Sequence, residues 1–159
     1  MMAIRRLRQA AVAGYFYPKR ADELRETLDQ LTTKHESRVH SRGVIVPHAG
    51  YQYSGAVAGE TWSRLAIPRR CVILGPNHTG WGVAWSLMAE GAYQTPLGEV
   101  LIDESLAKAL LEACPLLSPD DLAHRGEHAI EVELPFLQWL GPDDLAIVQI
   151  IIGSDQWQE

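Results

Sequence analysis

The stretch Arg42-Gly-Val-Ile-Val-Pro-His-Ala-Gly-Tyr-Gln-Tyr-Ser-Gly55 decides how the rest of the chain is read. An apolar run, Val44-Ile45-Val46, stops at Pro47. His48 follows in a glycine-bearing bend, and Ser54-Gly55 opens a helical pattern. The spacing predicts a buried strand over 43–46, a turn presenting an imidazole, and a helix over about 55–65 with Ser54 as N-cap. Ala56, Ala58 and Gly59 are small, which suits close packing of that helix on a sheet. Ligands of open α/β sheets collect at the carboxyl ends of strands, and His48 stands at such an end.

The pattern then repeats. Cys71-Val-Ile-Leu74 is a second short apolar run, and it leads into Gly75-Pro-Asn-His78-Thr-Gly80. Strand, His48, helix, strand, His78 describes a βαβ unit, whose crossover is right-handed and whose strands are parallel. Both histidines then lie on one sheet edge. Strands spaced by about 4.8 Å let two imidazoles converge on one ion at a metal–nitrogen distance of about 2.1 Å.

Working outward, Leu24, Leu28 and Leu31 form an amphipathic stripe that predicts a helix over about 21–33. Lys34 to Arg42 is polar, and His35 and His40 read as solvated loop residues. Val83 to about Ala89 reads as a strand, Tyr93–Gly98 as a turn-rich link, and Glu99–Ile102 as a short extended piece. Asp103 is placed to cap a helix running to about Ala113, and Pro115–Pro119 reads as a loop. Glu127-His128 precedes a helical pattern in which Pro135 forces a kink or restart. Leu145–Ile152 is nearly all apolar, as a strand buried on both faces should be. Gly153-Ser-Asp155 looks like one more strand end, so the chain is expected to form a single α/β domain over 1–159, incomplete at its C-terminus.

Bulk properties narrow the function. A single domain of 159 residues buries roughly 70% of its unfolded surface. The apolar fraction of 47% and the charged fraction of 21% are those of a soluble globular protein. A net charge of −6 offers no footprint for nucleic acid or an anionic membrane. Two cysteines cannot form a disulfide framework. Cys71 reads as core packing and Cys114 as an inert thiol at a helix end, and a cytoplasmic location is expected. Of the metal ligands, His48 and His78 are the pair the residues nominate. The third place falls to Glu127, Asp155, His128 or a group outside this chain. Two histidines and a carboxylate with open positions is a non-heme iron pattern, while three protein ligands plus water also suit zinc.

Five motifs occur together and in order: Ala13-Gly-Tyr-Phe-Tyr-Pro18, Pro47-His-Ala-Gly-Tyr-Gln-Tyr-Ser-Gly55, Leu74-Gly-Pro-Asn-His78, Tyr93-Gln-Thr-Pro-Leu-Gly98 and Glu127-His-Ala-Ile-Glu-Val-Glu-Leu-Pro-Phe136. The set closely resembles the Memo family, whose microbial members are called AmmeMemoRadiSam system protein B. That family is similar in fold to class III extradiol ring-cleaving dioxygenases. The resemblance implies a three-layer α/β/α domain with a mainly parallel sheet and a mononuclear metal, iron foremost, with copper or zinc as alternatives. It makes His48 and His78 metal ligands and puts Phe16 and Tyr53 at the pocket, where the residues themselves also nominate Glu127 and His128. The family's Ser-Ser-Asp-x-x-His segment and its cysteine ligand have no counterpart here; neither Cys71 nor Cys114 matches that position. The resemblance therefore implies a dioxygenase-like oxidoreductase. The alternatives are a non-catalytic module binding metal and a peptide or small aromatic, with Tyr15 and Tyr51 among the aromatics beside it, or an inactive fragment. It also implies radical SAM and AMMECR1-like pathway partners.

Overall fold

A computed structural model of the chain describes residues 6–153. It is a mixed α/β fold: four α-helices, a short 3₁₀ turn and one seven-stranded sheet among the described residues. In chain order the elements are β1 (Leu7–Arg8), α1 (Ala21–Leu31), α2 (Tyr51–Ser63), β2 (Arg70–Pro76), β3 (Trp85–Leu87), β4 (Ala92–Thr95), β5 (Gly98–Ile102), α3 (Glu104–Ala113), β6 (Ser118–Pro119), the 3₁₀ turn Glu131–Glu133, α4 (Leu134–Leu140) and β7 (Ala146–Ile152).

β7 is the strand on which the sheet is built. One edge pairs in parallel with β2 along its whole length, Arg70 opposite Ala146 through Pro76 opposite Ile152. The other edge divides: Ala146 and Ile147 pair in parallel with β5, and Ile150–Ile152 pair antiparallel with β3. The pairings β1–β4 and β3–β6 are also parallel, and β4–β5 is antiparallel. Ile147 to Ile151 are all buried, as the unbroken apolar run predicts for a strand covered on both faces. α1 turns Leu24 and Leu28 fully inward. The Asp103 carboxylate accepts the Leu106 amide at 3.0 Å and caps α3 as expected. Pro135 opens α4 immediately after the 3₁₀ turn, so the predicted break is a restart.

Three expectations are corrected. No strand forms at Gly43–Val46. The segment has no regular secondary structure; Val44, Ile45 and Val46 make no backbone–backbone hydrogen bond among the described residues, and Ile45 is 97% exposed. The strand–helix–strand unit is thus an irregular segment, a helix and one strand; apolar β-branched residues alone do not make a strand without an edge to pair with. The helix begins at Tyr51, with Gly50 as N-cap, because the Phe16 carbonyl accepts the Tyr51 amide at 2.8 Å; Ser54 instead donates to the Ala49 carbonyl. That helix packs on α1 and α4. Gly59 lets the Leu31 carbonyl approach to a distance that leaves no room for a Cβ, 2.1 Å from where one would sit. Finally, Tyr93–Thr95 is a strand and not a link, because Gly98 reverses the chain at φ +123° and closes a hairpin onto β5.

Smaller differences concern exposure. His35 is half-buried, its Nε2 3.5 Å from Glu60. Cys71 is half-buried with a thiol pKa raised by burial, and both cysteines are free. Ser154 and Asp155 lie outside the described residues. No helix among the described residues is long and apolar enough to cross a membrane.

The core contains ionisable groups whose charge is suppressed. Glu133 is 5% exposed, and one of its carboxyl oxygens accepts the Trp62 indole N–H at 2.6 Å. Burial pushes its pKa up to about 7, against a smaller lowering by the indole. His124 is fully buried against the Tyr93 hydroxyl at 2.9 Å, and burial pushes its pKa down to about 4. The two act in opposite senses over nearly the same acidic range. Glu133 subtracts stability as pH rises from about 4.5 to 7, where the unfolded chain has ionised and the native chain has not. His124 subtracts stability as pH falls from about 6.5 to 4. Glu133→Gln should therefore match the wild type near pH 5 and exceed it at pH 8 by about 1–3 kcal/mol in urea unfolding. Equal gains at both pH values would mean the carboxyl is not held protonated in the fold.

Candidate metal centre

Three imidazoles meet at the edge of the sheet. Ligating nitrogens of His48, His78 and His128 all lie within 4.8 Å of one another. Ring centroids are 4.3 Å apart for His78 and His128, 5.4 Å for His48 and His78, and 5.9 Å for His48 and His128. Each ring comes from a different connection: the segment before α2, the loop after β2, and the loop before the 3₁₀ turn.

The loop after β2 is held by Asn77. Its side-chain oxygen accepts the Thr79 amide, the Thr79 hydroxyl and the Gly80 amide at 2.9–3.0 Å, and its backbone N–H donates to the Ile152 carbonyl at the end of β7. This is an Asx turn, and it fixes the backbone of His78. Gly75 brings the strand close to the next loop: a Cβ there would sit 3.0 Å from Ile130 and 3.2 Å from Ala129.

Glu127 is the hinge of the cluster. It is 2% exposed. One carboxylate oxygen takes the His78 amide at 2.5 Å. The other lies 2.8 Å from His78 Nδ1 and accepts the amides of His128 and Ala129 at 2.8 and 2.9 Å. His128 Nδ1 stands 3.3 Å from that same oxygen. Burial alone would raise the pKa of Glu127, but the hydrogen bonds from His78 and the backbone outweigh it and hold the carboxyl below its ordinary value. A carboxylate facing Nδ1 assigns the proton of His78 to that nitrogen and leaves Nε2 free to donate a lone pair. Burial lowers the pKa of both His48 and His128, with the neighbouring imidazoles adding to it. Neutral rings are the ones that can ligate.

The loop that carries Glu127 and His128 is fixed from below by Arg8 and Glu131. Arg8, 6% exposed, donates to the carbonyls of His124 and Glu127 at 2.9 and 2.7 Å and forms an ion pair with the Glu131 carboxylate. Glu131 has no exposed surface; it also accepts the amides of Ala11 and Val12 and the Tyr17 hydroxyl at 2.6 Å. Burial and that carboxylate raise the Tyr17 pKa far above the usual phenol value. Next to Tyr17, the Phe16 ring packs 4.6 Å from His128.

The nominated pair His48 and His78 is thus brought together, and His128 joins it as the third imidazole. Glu127 stands behind the rings as the carboxylate that orients them. Phe16 touches the cluster. Tyr53 is 80% exposed, on the first turn of α2, and Tyr15 is 85% exposed, whereas Tyr51 is buried with its hydroxyl on the Val132 carbonyl. The clefts around Trp139 and around Arg70 lie elsewhere on the surface. Reading of the residues alone missed Arg8 and Glu131. A signal was present: Ala129-Ile-Glu-Val-Glu-Leu-Pro-Phe136 sets two acids in an apolar run, where a buried carboxylate requires partners.

These features define an α/β protein with a clustered three-histidine site backed by a buried carboxylate. Residues 8–159 match the family described as Memo-like protein. Among curated relatives, a MEMO1 family protein of Aquifex aeolicus is 43% identical over 154 residues, covering 96% of this chain and 57% of the relative. Another from Methanopyrus kandleri is 42% identical, covering 95% and 58%, and one from Pyrococcus furiosus is 42% identical, covering 92% and 53%. The chain belongs to the Memo family. It spans somewhat more than half the length of these relatives.

Two substitutions test how the site is held. Glu131→Gln leaves the Arg8 guanidinium buried without its carboxylate and should cost about 3–5 kcal/mol in urea unfolding; a loss below about 1 kcal/mol would show that the pair does not anchor the loop. Gly75→Ala should cost about 1–3 kcal/mol and shift the His78 ring nitrogens in NMR spectra, since Ala129 and Ile130 must move away.

Proposed function

We propose that this chain is a metal-binding member of its family, and that His48, His78 and His128 hold one mononuclear transition-metal ion. The observation that carries the reading is the convergence of three imidazole nitrogens within 4.8 Å, one of them oriented by a buried carboxylate at 2.8 Å. Imidazole donors suit iron, copper and zinc, so the donor set fits each of the metals the resemblance allows. A ring held by a carboxylate on its second nitrogen is the usual outer-shell arrangement of metal-bound histidine.

We take the metal to be iron and the activity to be dioxygenase-like, on the resemblance to class III extradiol enzymes and their three-layer, mainly parallel fold. Iron, when bound, supplies a redox-active Lewis acid able to hold an aromatic diol and react with O2. The residues of this chain do the positioning. Glu127 keeps the His78 proton on Nδ1, Phe16 packs against His128 as an apolar wall, and Tyr53 stands exposed at the start of α2, available to a small aromatic or a peptide. The exposure of Tyr53 and Tyr15 (80% and 85%) also suits the second reading, a module that binds metal and ligand without turnover.

Anaerobic loading with Fe(II), Zn(II) or Cu(II) followed by metal analysis separates these readings. The wild-type chain should retain about one equivalent, and His48→Ala, His78→Ala and His128→Ala should each lose it. Glu127→Gln should weaken binding by about 10–100-fold. A wild-type chain that retains none of the three metals would sink the proposal. Oxygen uptake with catechols then decides between enzyme and binding module.

A further inference from the structure

The central strand carries a single polar side chain. Gln149 stands among Ile147, Val148, Ile150 and Ile151 on β7, and it has no exposed surface. Neither the oxygen nor the nitrogen of its amide meets a hydrogen-bond partner among the described residues. The sheet forks at the same place. β5 pairs with β7 as far as Ile147 and β3 takes over at Ile150, so Val148 and Gln149 have no strand partner on that edge. A buried amide that makes none of its bonds is strongly disfavoured, so the fork calls for an occupant that can make them.

The Gln149 amide acts on the buried Tyr93 hydroxyl without meeting the geometry of a hydrogen bond with it. That hydroxyl lies 2.9 Å from His124 Nδ1. Burial keeps the His124 ring neutral, and its Nε2 faces the Ser86 carbonyl on β3. The ring proton therefore belongs on Nε2, the Tyr93 proton goes to Nδ1, and the Tyr93 oxygen keeps its lone pairs for another donor.

We propose that an ordered water molecule occupies this fork, donating to the Tyr93 oxygen and bonded to the Gln149 amide, and that it links β7 to the His124–His128 loop. Water suits a buried polar site that offers two or more partners. The groups that line the fork exclude a charged occupant. Gln149, Tyr93 and the neutral His124 bring no charge, the Arg8 guanidinium 4.8 Å from the Tyr93 ring centroid repels a cation, and its own charge is already matched by Glu131. The link runs from Gln149 through the water to Tyr93 and His124, whose carbonyl Arg8 holds together with that of Glu127. None of these groups is an imidazole of the cluster, so the inference stands with or without a bound metal.

The test joins a crystal structure of the 159-residue chain, refined with its waters, to water magnetic relaxation dispersion in solution, which counts long-lived internal waters. The wild type should show a water at roughly 2.7–3.2 Å from both the Gln149 amide and the Tyr93 hydroxyl. Gln149→Met, apolar and of similar length, should fold and lose one long-lived water. The His124 amide, bonded to the Asp121 carbonyl, should exchange at least about threefold faster in that variant; an unchanged rate would strike out the link to the loop. A Gln149 amide bonded directly to protein groups, with no water between it and Tyr93, would overturn the proposal. So would equal dispersion in the wild type and the folded variant. Should Gln149→Met fail to fold, the wild-type crystal structure decides alone.

Discussion

The Glu131 carboxylate is the group on which the remainder of the structure depends. It sits without exposed surface at the start of the 3₁₀ turn and gathers a guanidinium, two amides and a phenol from the first 17 residues of the chain. A charge taken out of water is tolerated only when such partners surround it. The consequence is mechanical. The N-terminal segment becomes a strap that passes under the His124–His128 loop, with Arg8 holding two of that loop's carbonyls. The same strap delivers the Phe16 carbonyl to the start of α2 and the Phe16 ring to His128. Two of the three imidazole-bearing connections are thereby tied to one buried ion pair.

Three carboxylates within seven residues meet three different fates, and environment alone separates them. Glu127 is surrounded by N–H donors and stays ionised, which lets it orient imidazoles. Glu131 faces a guanidinium. Glu133 has only an indole N–H, and burial keeps its proton on up to about pH 7. The segment can hold so many acids because their partners are drawn from distant parts of the chain: residue 8 for Glu131, residue 62 for Glu133 and residue 78 for Glu127.

Much of this was legible in the residues. The amphipathic stripe of α1, the Asp103 cap, the doubly buried β7 and the strand running into His78 follow from local pattern, and the structure has them. Two of the three clustered histidines were readable because each follows an apolar run and a bend. The third could be nominated but not chosen, since nothing local to Glu127-His128 says whether the carboxylate or the imidazole faces the other rings. Val44-Ile45-Val46 misled for the opposite reason: strand formation needs a partner edge, and a partner is not a property of three residues. The start of α2 was misplaced because its first amide is satisfied by Phe16, more than thirty positions earlier.

The separation of 123 residues between Arg8 and Glu131 also sets a timetable. At a synthesis rate of about 5–20 residues per second, the strap waits roughly 6–25 s on the ribosome before its anchor exists. During that interval Phe16 and Tyr17 have no native pocket, and the end of α1 has no α4 behind it. Assembly of the three-imidazole cluster is correspondingly late, since His128 and the carboxylate that aligns His78 arrive with the last quarter of the chain. Contacts this distant in sequence make folding slow relative to local helix formation, and a newborn chain spends that delay with its aromatic strap uncovered.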